Sequence, residues 1–178
     1  MHNDDPQSRP AVITMVPIGV IHTPFRQSEG TPIQGALAND AKGVVELFAN
    51  FTPGLLDVAE FERLWLIYRL DRAAASQLVA RPYLDTQEHG IFATRSPARP
   101  NHIGLSAVRL LGVEENRLYV SDVDMLDGTP LLDIKPYVPE FDCFEVKRVG
   151  WYAGKSAKDV VADDRFEARK TEGRDRSV

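Results

Sequence analysis

The sequence predicts a mainly β fold, an antiparallel barrel or sandwich with one or two short helices. Three observations lead there. Short runs of β-branched and aromatic residues recur along the chain, bounded by Gly, Pro, Asn or Asp. Twelve Gly and twelve Pro among 178 residues favour turns over long helices. No G-x-G-x-x-G follows a first strand and no G-x-x-x-x-G-K-[ST] occurs, so a doubly wound nucleotide-binding sheet lacks its signature.

The elements follow in order. Residues 1–12 are polar and read as a loose arm ahead of one domain, residues 13–154. Residues 16–23 form an apolar, β-branched run ending at Pro24, and residues 43–48 a second, shorter one. A short helix is expected over 53–61, with Leu55, Leu56, Val58, Ala59 and Phe61 available for its buried side. Residues 64–70 are almost continuously apolar, as in a barrel wall or a strand covered on both faces. Residues 90–95 and 103–113 read as further strands, and 117–125 as another. In the last of these Leu118 and Val120 alternate with Tyr119 and Ser121, but Val123 and Met125 share the parity of Tyr119. That slip predicts a bulge or corner near Asp122. A final strand over 131–138 follows Asp127-Gly128. Residues 155–178 are dense in charge and read as a solvated tail, with Ser156 and Asp159 resembling a capping box for an exposed helix over 157–170.

Composition narrows the function. Hydrophobic residues make up 43%, enough for a core. The formal net charge is −5, so a nucleic-acid contact has to come from a local basic patch. No run approaches eighteen apolar residues and the N-terminus does not resemble a secretory signal, so no membrane association is expected. The single Cys143 cannot form an internal disulfide, which fits a reducing cytoplasm. His2, His22, His89 and His102 stand at no metal-ligand spacing, and no metal is expected. A G-x-S-x-G elbow is also absent.

Three segments carry polar chemistry. FATRSPARPNHIGLS, residues 92–106, holds Arg95, Arg99, Asn101 and His102 between apolar runs, with Pro97 and Pro100 stiffening it. An arginine there can clamp a carboxylate or phosphate with two parallel hydrogen bonds. The same segment reads equally well as a structural connection whose arginines pair with nearby acids. DVDMLDGTPLLDIKPY, residues 122–137, contains Asp124, Asp127 and Asp133. These acids lack calcium-loop spacing. Asp127-Gly128 reads as a hairpin turn or as backbone approaching a small ligand, and Asp133 with Lys135 as a pair on one strand face. TPIQGAL, residues 31–37, reads as a surface turn.

Together these blocks resemble the TsaA-like (TrmO) family. The resemblance rests on IGVIHTPF (18–25), PIQGAL (32–37), LWLIY (64–68), GIFATRSPARPNHIGLS (90–106) and LDGTPLLDIKPYVPEFD (126–142), in the family's order. It implies a compact antiparallel β-barrel, a homodimer, and a non-Rossmann methyltransferase that uses S-adenosyl-L-methionine. It further implies N6-methylation of threonylcarbamoyl-adenosine beside the anticodon of tRNA. Carried over by motif, Pro32, Ile33, Gln34, Asp71, Arg72, Arg95, Leu105, Asp127, Gly128, Thr129 and Pro130 hold the methyl donor. Arg95 is the first choice for the clamp, and Asp127 the carboxylate for the cationic sulfur. Arg99, Asn101, His102 and Lys135 are the substrate-binding candidates, and no catalytic base is assigned. Where longer members tend to show His-Gln, this chain has Asp71-Arg72. The alternatives are an S-adenosylmethionine-binding sensor and a methyltransferase acting on a small molecule or another RNA.

Overall fold

The computed structural model describes residues 12–158 and 160–168. Eight strands occur in it: β1 (Gly19–His22), β2 (Lys42–Leu47), β3 (Arg63–Arg69), β4 (Val79–Ala80), β5 (His89–Gly90), β6 (Ile103–Glu114), β7 (Arg117–Ser121) and β8 (Thr129–Pro136). Six of them close an antiparallel barrel in the order β1-β2-β7-β6-β3-β8, with β8 returning to β1. Closure leaves no unpaired edge in the wall. β4 and β5 form a separate two-stranded sheet. One short helix, α1 (Pro139–Asp142), follows β8.

The wall is built by alternation. Along β3, Leu64, Leu66 and Tyr68 point inward while Trp65 and Ile67 face out. Ile21, Val45, Val108, Leu118, Val120 and Leu131 complete the same interior from the other strands. The near-continuous apolar run of β3 is thus a barrel wall with its outer face half covered. The parity slip after Ser121 is also real. β7 stops there, Asp122 takes the left-handed backbone region at φ 66°, and Val123 and Met125 then turn back into the core. An ion pair from Arg63 to Asp122 at 3.0 Å holds this corner.

Three expectations are corrected. The helix expected over 53–61 is replaced by two 3-10 turns, Ala49–Leu55 and Val58–Glu60. Pro53 sits inside the first and Asp57, at φ 64°, separates the two, so no α-helical ladder can run through. Leu55 and Val58 reach the core, whereas Leu56 is exposed. The strand expected over 90–95 is only β5 followed by a 3-10 turn at Ile91–Ala93. Its apolar run is three residues long, and the Thr94 hydroxyl donates back to the Ile91 carbonyl at 2.9 Å, closing the turn. The helix expected over 157–170 is not formed in the described residues. Residues 160–168 run extended, with one 3-10 turn at Asp164–Phe166 and single bridges from Val161 to Pro32 and from Glu167 to Ala73.

That segment is not a solvated tail. Phe166, its one aromatic side chain, is buried with Ala80, Ile91 and Ala98, a small second core beside the barrel. Asp159 and residues 169–170 lie outside the described residues, as do residues 1–11 of the expected N-terminal arm. No helix of the described residues is long and apolar enough to cross a membrane.

Candidate functional site

A cavity of roughly 400 Å³ opens at the end of the barrel where β3 finishes and β6 and β8 begin. Its floor is barrel: Tyr68, Gly104, Ser106, Asp124, Met125 and Thr129. Its walls come from the loops around 28–34, 70–73, 82–84 and 94–99, and from two later pieces, Trp151-Tyr152 and Ala162 to Phe166.

Glycines set the floor. A Cβ on Gly104 would stand 2.1 Å from the Tyr68 ring, so only glycine lets that ring lie across β6. The Tyr68 hydroxyl then meets Ser106 Oγ at 2.9 Å, and Ser106 donates to Asp124 Oδ1 at 2.6 Å. A Cβ on Gly35 would stand 2.6 Å from the Asp122 carbonyl oxygen. This close approach carries the Gly35 amide to the Asp124 carboxylate, which it bonds. Asp124 is exposed only in part and faces the cavity. Burial pushes its pKa up to about 6, although the Ser106 hydroxyl, the Gly35 and Asp124 amides and the Arg95 charge all favour the ionised form. Tyr68 is shifted upward as well, first by burial and then by the neighbouring Asp124 charge.

Three arginines line the walls: Arg72, Arg95 and Arg99. Arg95 donates to the side-chain oxygen of Gln34, which ties the loop at 94–99 to the TPIQGAL loop. Arg99 donates to the Thr94 and Ser96 carbonyls and braces its own loop. Arg72 donates to the Asp127 carbonyl at 2.6 Å. Among the described residues none of the three forms an ion pair with a carboxylate. For Arg95 and Arg99, direct pairing with nearby acids is thus not seen among these residues, although the Arg95 charge acts on Asp124. Their charges are available to an anionic group.

The later pieces supply aromatic surface. Trp151 stacks on Tyr152 with ring centroids 3.8 Å apart and on His89 at 4.6 Å, and its indole N–H donates to the Ala93 carbonyl. Tyr83 packs edge-on against Phe166 at 5.3 Å, with the Arg165 guanidinium 5.0 Å from its ring centroid. Burial raises the Tyr83 pKa to about 12.

Of the residues singled out from sequence, the cavity gathers Pro32, Ile33, Gln34, Asp71, Arg72, Arg95, Arg99, Leu105 and Thr129. TPIQGAL is thus part of the site and not an idle turn. Asp127, Gly128, Pro130, Asn101, His102 and Lys135 are not among the lining residues. The Asp127 carboxylate accepts from the Thr23 amide at 3.1 Å and lies 3.6 Å from the His22 ring, so it ties β1 to the start of β8. His102 Nε2 lies 3.1 Å from the Ala74 carbonyl. Lys135 pairs with Asp133 at 2.8 Å, the same-face pair that the strand pattern offered. Sequence reasoning missed Tyr68 and Ser106, gave Asp124 no role in this site, and passed over Tyr83, Trp151, Tyr152 and Phe166. The one available signal for the floor was Gly104-x-Ser106 on the inward parity of β6, facing an inward Tyr68.

The fold and the cavity define a ligand-binding β-barrel domain with a cationic rim and an acidic floor. Comparison with known proteins makes this specific: the chain matches the tRNA-methyltransferase O N-terminal domain over residues 20–143, and it belongs to that family. It is 53% identical over 142 residues to a protein of Pyrococcus abyssi named "Probable S-adenosyl-L-methionine-binding protein", covering 80% of this chain and 77% of that one. It is 36% identical over 133 residues to the mouse protein named tRNA (adenine(37)-N6)-methyltransferase, covering 71% of this chain and 31% of that one. Among solved structures, TrmO from Pseudomonas aeruginosa superposes with a TM-score of 0.65 at 37% identity, covering 79% of this chain and 63% of that one. The chain therefore spans under two thirds of the TrmO chain and about a third of the mouse enzyme.

Proposed function

We propose that this protein is a methyltransferase that uses S-adenosyl-L-methionine and acts on N6 of the adenosine beside the anticodon of tRNA, carrying threonylcarbamoyl. The observation that carries the reading is the convergence of three sequence-distant loops, around Gln34, Asp71 and Arg95, on one cavity that also holds Leu105 and Thr129. The family's named relatives support it.

The residues present fit the donor. Arg95, with Arg72 and Arg99 behind it, offers guanidinium groups to a carboxylate. Pro32, Ile33, Leu105, Tyr83 and Trp65 offer apolar and aromatic surface to a purine ring. The cavity-lining Leu126 and Thr129 would offer backbone carbonyls to a cationic sulfur. When bound, the donor supplies a methyl group activated by its positive charge. The protein's task is to hold donor and acceptor in line at contact distance, which alone removes several kcal/mol from a barrier of this kind.

The reading extends to the acceptor and the assembly. Arg99 and the Trp151-Tyr152 stack border the cavity and suit an anionic, flat-ringed substrate. Asn101, His102 and Lys135 lie outside the cavity lining and serve at most a wider RNA surface. Exposed Phe141, Phe144 and Val146 provide apolar area for a homodimer in the cytoplasm, which light scattering of the purified protein tests.

Calorimetry with S-adenosylmethionine tests the donor site. Arg95→Ala is expected to weaken binding at least tenfold, about 1.4 kcal/mol, with the circular dichroism spectrum unchanged. Unchanged affinity removes Arg95 from the site, and no binding by the wild type overturns the reading. A labelled-methyl assay on total tRNA from a strain lacking this modification tests the acceptor. The name of the Pyrococcus relative mentions binding alone, which favours a second reading, a sensor that holds the donor without transfer. Donor binding with no label on tRNA or on any component of a cell extract selects it.

A further inference from the structure

We propose that Asp124 is the proton acceptor of this site and that Ser106 and Tyr68 are the positioning residues that orient it. The inference rests on the methyltransferase reading above and assigns the base which that reading lacks.

The geometry is unusual for a structural acid. Asp124 sits on the cavity floor at the end of the barrel, between Val123 and Met125, both buried. Buried carboxylates are usually paired with a cation. Among the described residues Asp124 has no ion pair at contact distance, and its partners are the Ser106 and Tyr68 hydroxyls and two backbone amides, with the Arg95 charge acting from further off. Those donors fix the group's orientation without neutralising it. The corner at Asp122 and the close approach of Gly35 both serve to deliver this one side chain to the cavity floor.

The hydrogen-bond order is set by proton count. Ser106 has one proton and gives it to Asp124 at 2.6 Å. Tyr68 therefore donates to Ser106 at 2.9 Å. Burial keeps the Tyr68 phenol protonated, so the chain runs one way, Tyr68 to Ser106 to Asp124, while Asp124 is ionised. The charged and titratable groups that bear on Asp124 are Arg95 from the loop above and Tyr68 from β3.

The chemistry needs such a group. An exocyclic nitrogen has its lone pair delocalised and reacts poorly until its N–H proton is drawn away. As the nitrogen–carbon bond forms, the carbon–sulfur bond breaks and its electron pair stays on sulfur, which becomes neutral. The N–H proton passes to the Asp124 carboxylate and from there to water. A carboxylate whose affinity for protons has been raised toward neutrality is a better acceptor than an exposed one.

Three measurements test the assignment. Carboxyl-carbon NMR of the ligand-free protein is expected to show Asp124 titrating near 6, and Ser106→Ala to move that midpoint upward. Asp124→Asn is expected to bind S-adenosylmethionine within threefold of the wild type while single-turnover methyl transfer to tRNA falls at least 100-fold, with the acid limb of the pH profile lost. In Ser106→Ala the acid limb is expected to shift by the same amount as the NMR midpoint, which a purely structural role would not produce. Asp124→Asn transferring at the wild-type rate, or losing donor affinity tenfold or more, overturns the assignment and leaves the methyltransferase reading standing. A wild type that binds the donor yet transfers no methyl group overturns both.

Discussion

The barrel and the segment at 160–168 enclose the same cavity by different physical means. The barrel holds its side with six strands hydrogen-bonded on both edges around a core of Ile, Leu and Val at almost zero exposure. The later segment holds its side with two single bridges, the buried Phe166, and hydrogen bonds such as Ser28 to Glu167 at 2.7 Å. One wall is stable because opening it unfolds the domain. The other is placed by a few contacts that can open locally. The barrel side of the cavity is therefore expected to be the more stable of the two.

Removing a core side chain should break this contrast most severely. Leu66→Ala is expected to lower global stability by about 2–5 kcal/mol in urea unfolding. The next effect sits where the two regions meet. The folded-state pKa of Asp124 is raised from 3.8 to about 6, so the native state holds that proton more tightly than the unfolded chain. Its contribution is fully present below about pH 4 and is lost as pH rises through about 6. That amounts to up to about 3 kcal/mol. Urea midpoints of the wild type should fall across that window relative to those of Asp124→Asn. Phe166→Ala should cost the whole domain only roughly 1–2 kcal/mol, because the segment opens without unfolding the barrel. Limited proteolysis should then cut near residue 160 much faster than in the wild type. A loss equal to that of Leu66→Ala would erase the distinction between the two walls. Smallest of all, Lys135→Ala should change stability by less than about 0.5 kcal/mol, since its pair with Asp133 is exposed.

The same division governs what could be read in advance. The barrel strands were legible because inward alternation along Leu64, Leu66 and Tyr68, or Leu118 and Val120, is a local property. Even the corner at Asp122 showed as a parity slip. Arg95 and Gln34 were legible through motif, though nothing local says that they touch. The burial of Phe166 was not legible, since a lone aromatic among charges looks the same whether it faces solvent or a patch supplied by Ala80, Ile91 and Ala98. Asp124 was hidden for a related reason. Its perturbation comes from burial, and the groups that hold it, Gly35 and Ser106, belong to other elements of the chain. Asp127, the more conspicuous acid beside a glycine, turned out to hold β1 in place.

The bridges from Val161 to Pro32 and from Glu167 to Ala73 have a practical corollary for protein engineering. A fluorescent tag or surface tether fused just after Ala168 would hang from the side of the pocket itself. Mechanical load on such a fusion would be felt first by the loops carrying Ile33 and Arg72, well before any barrel strand yields.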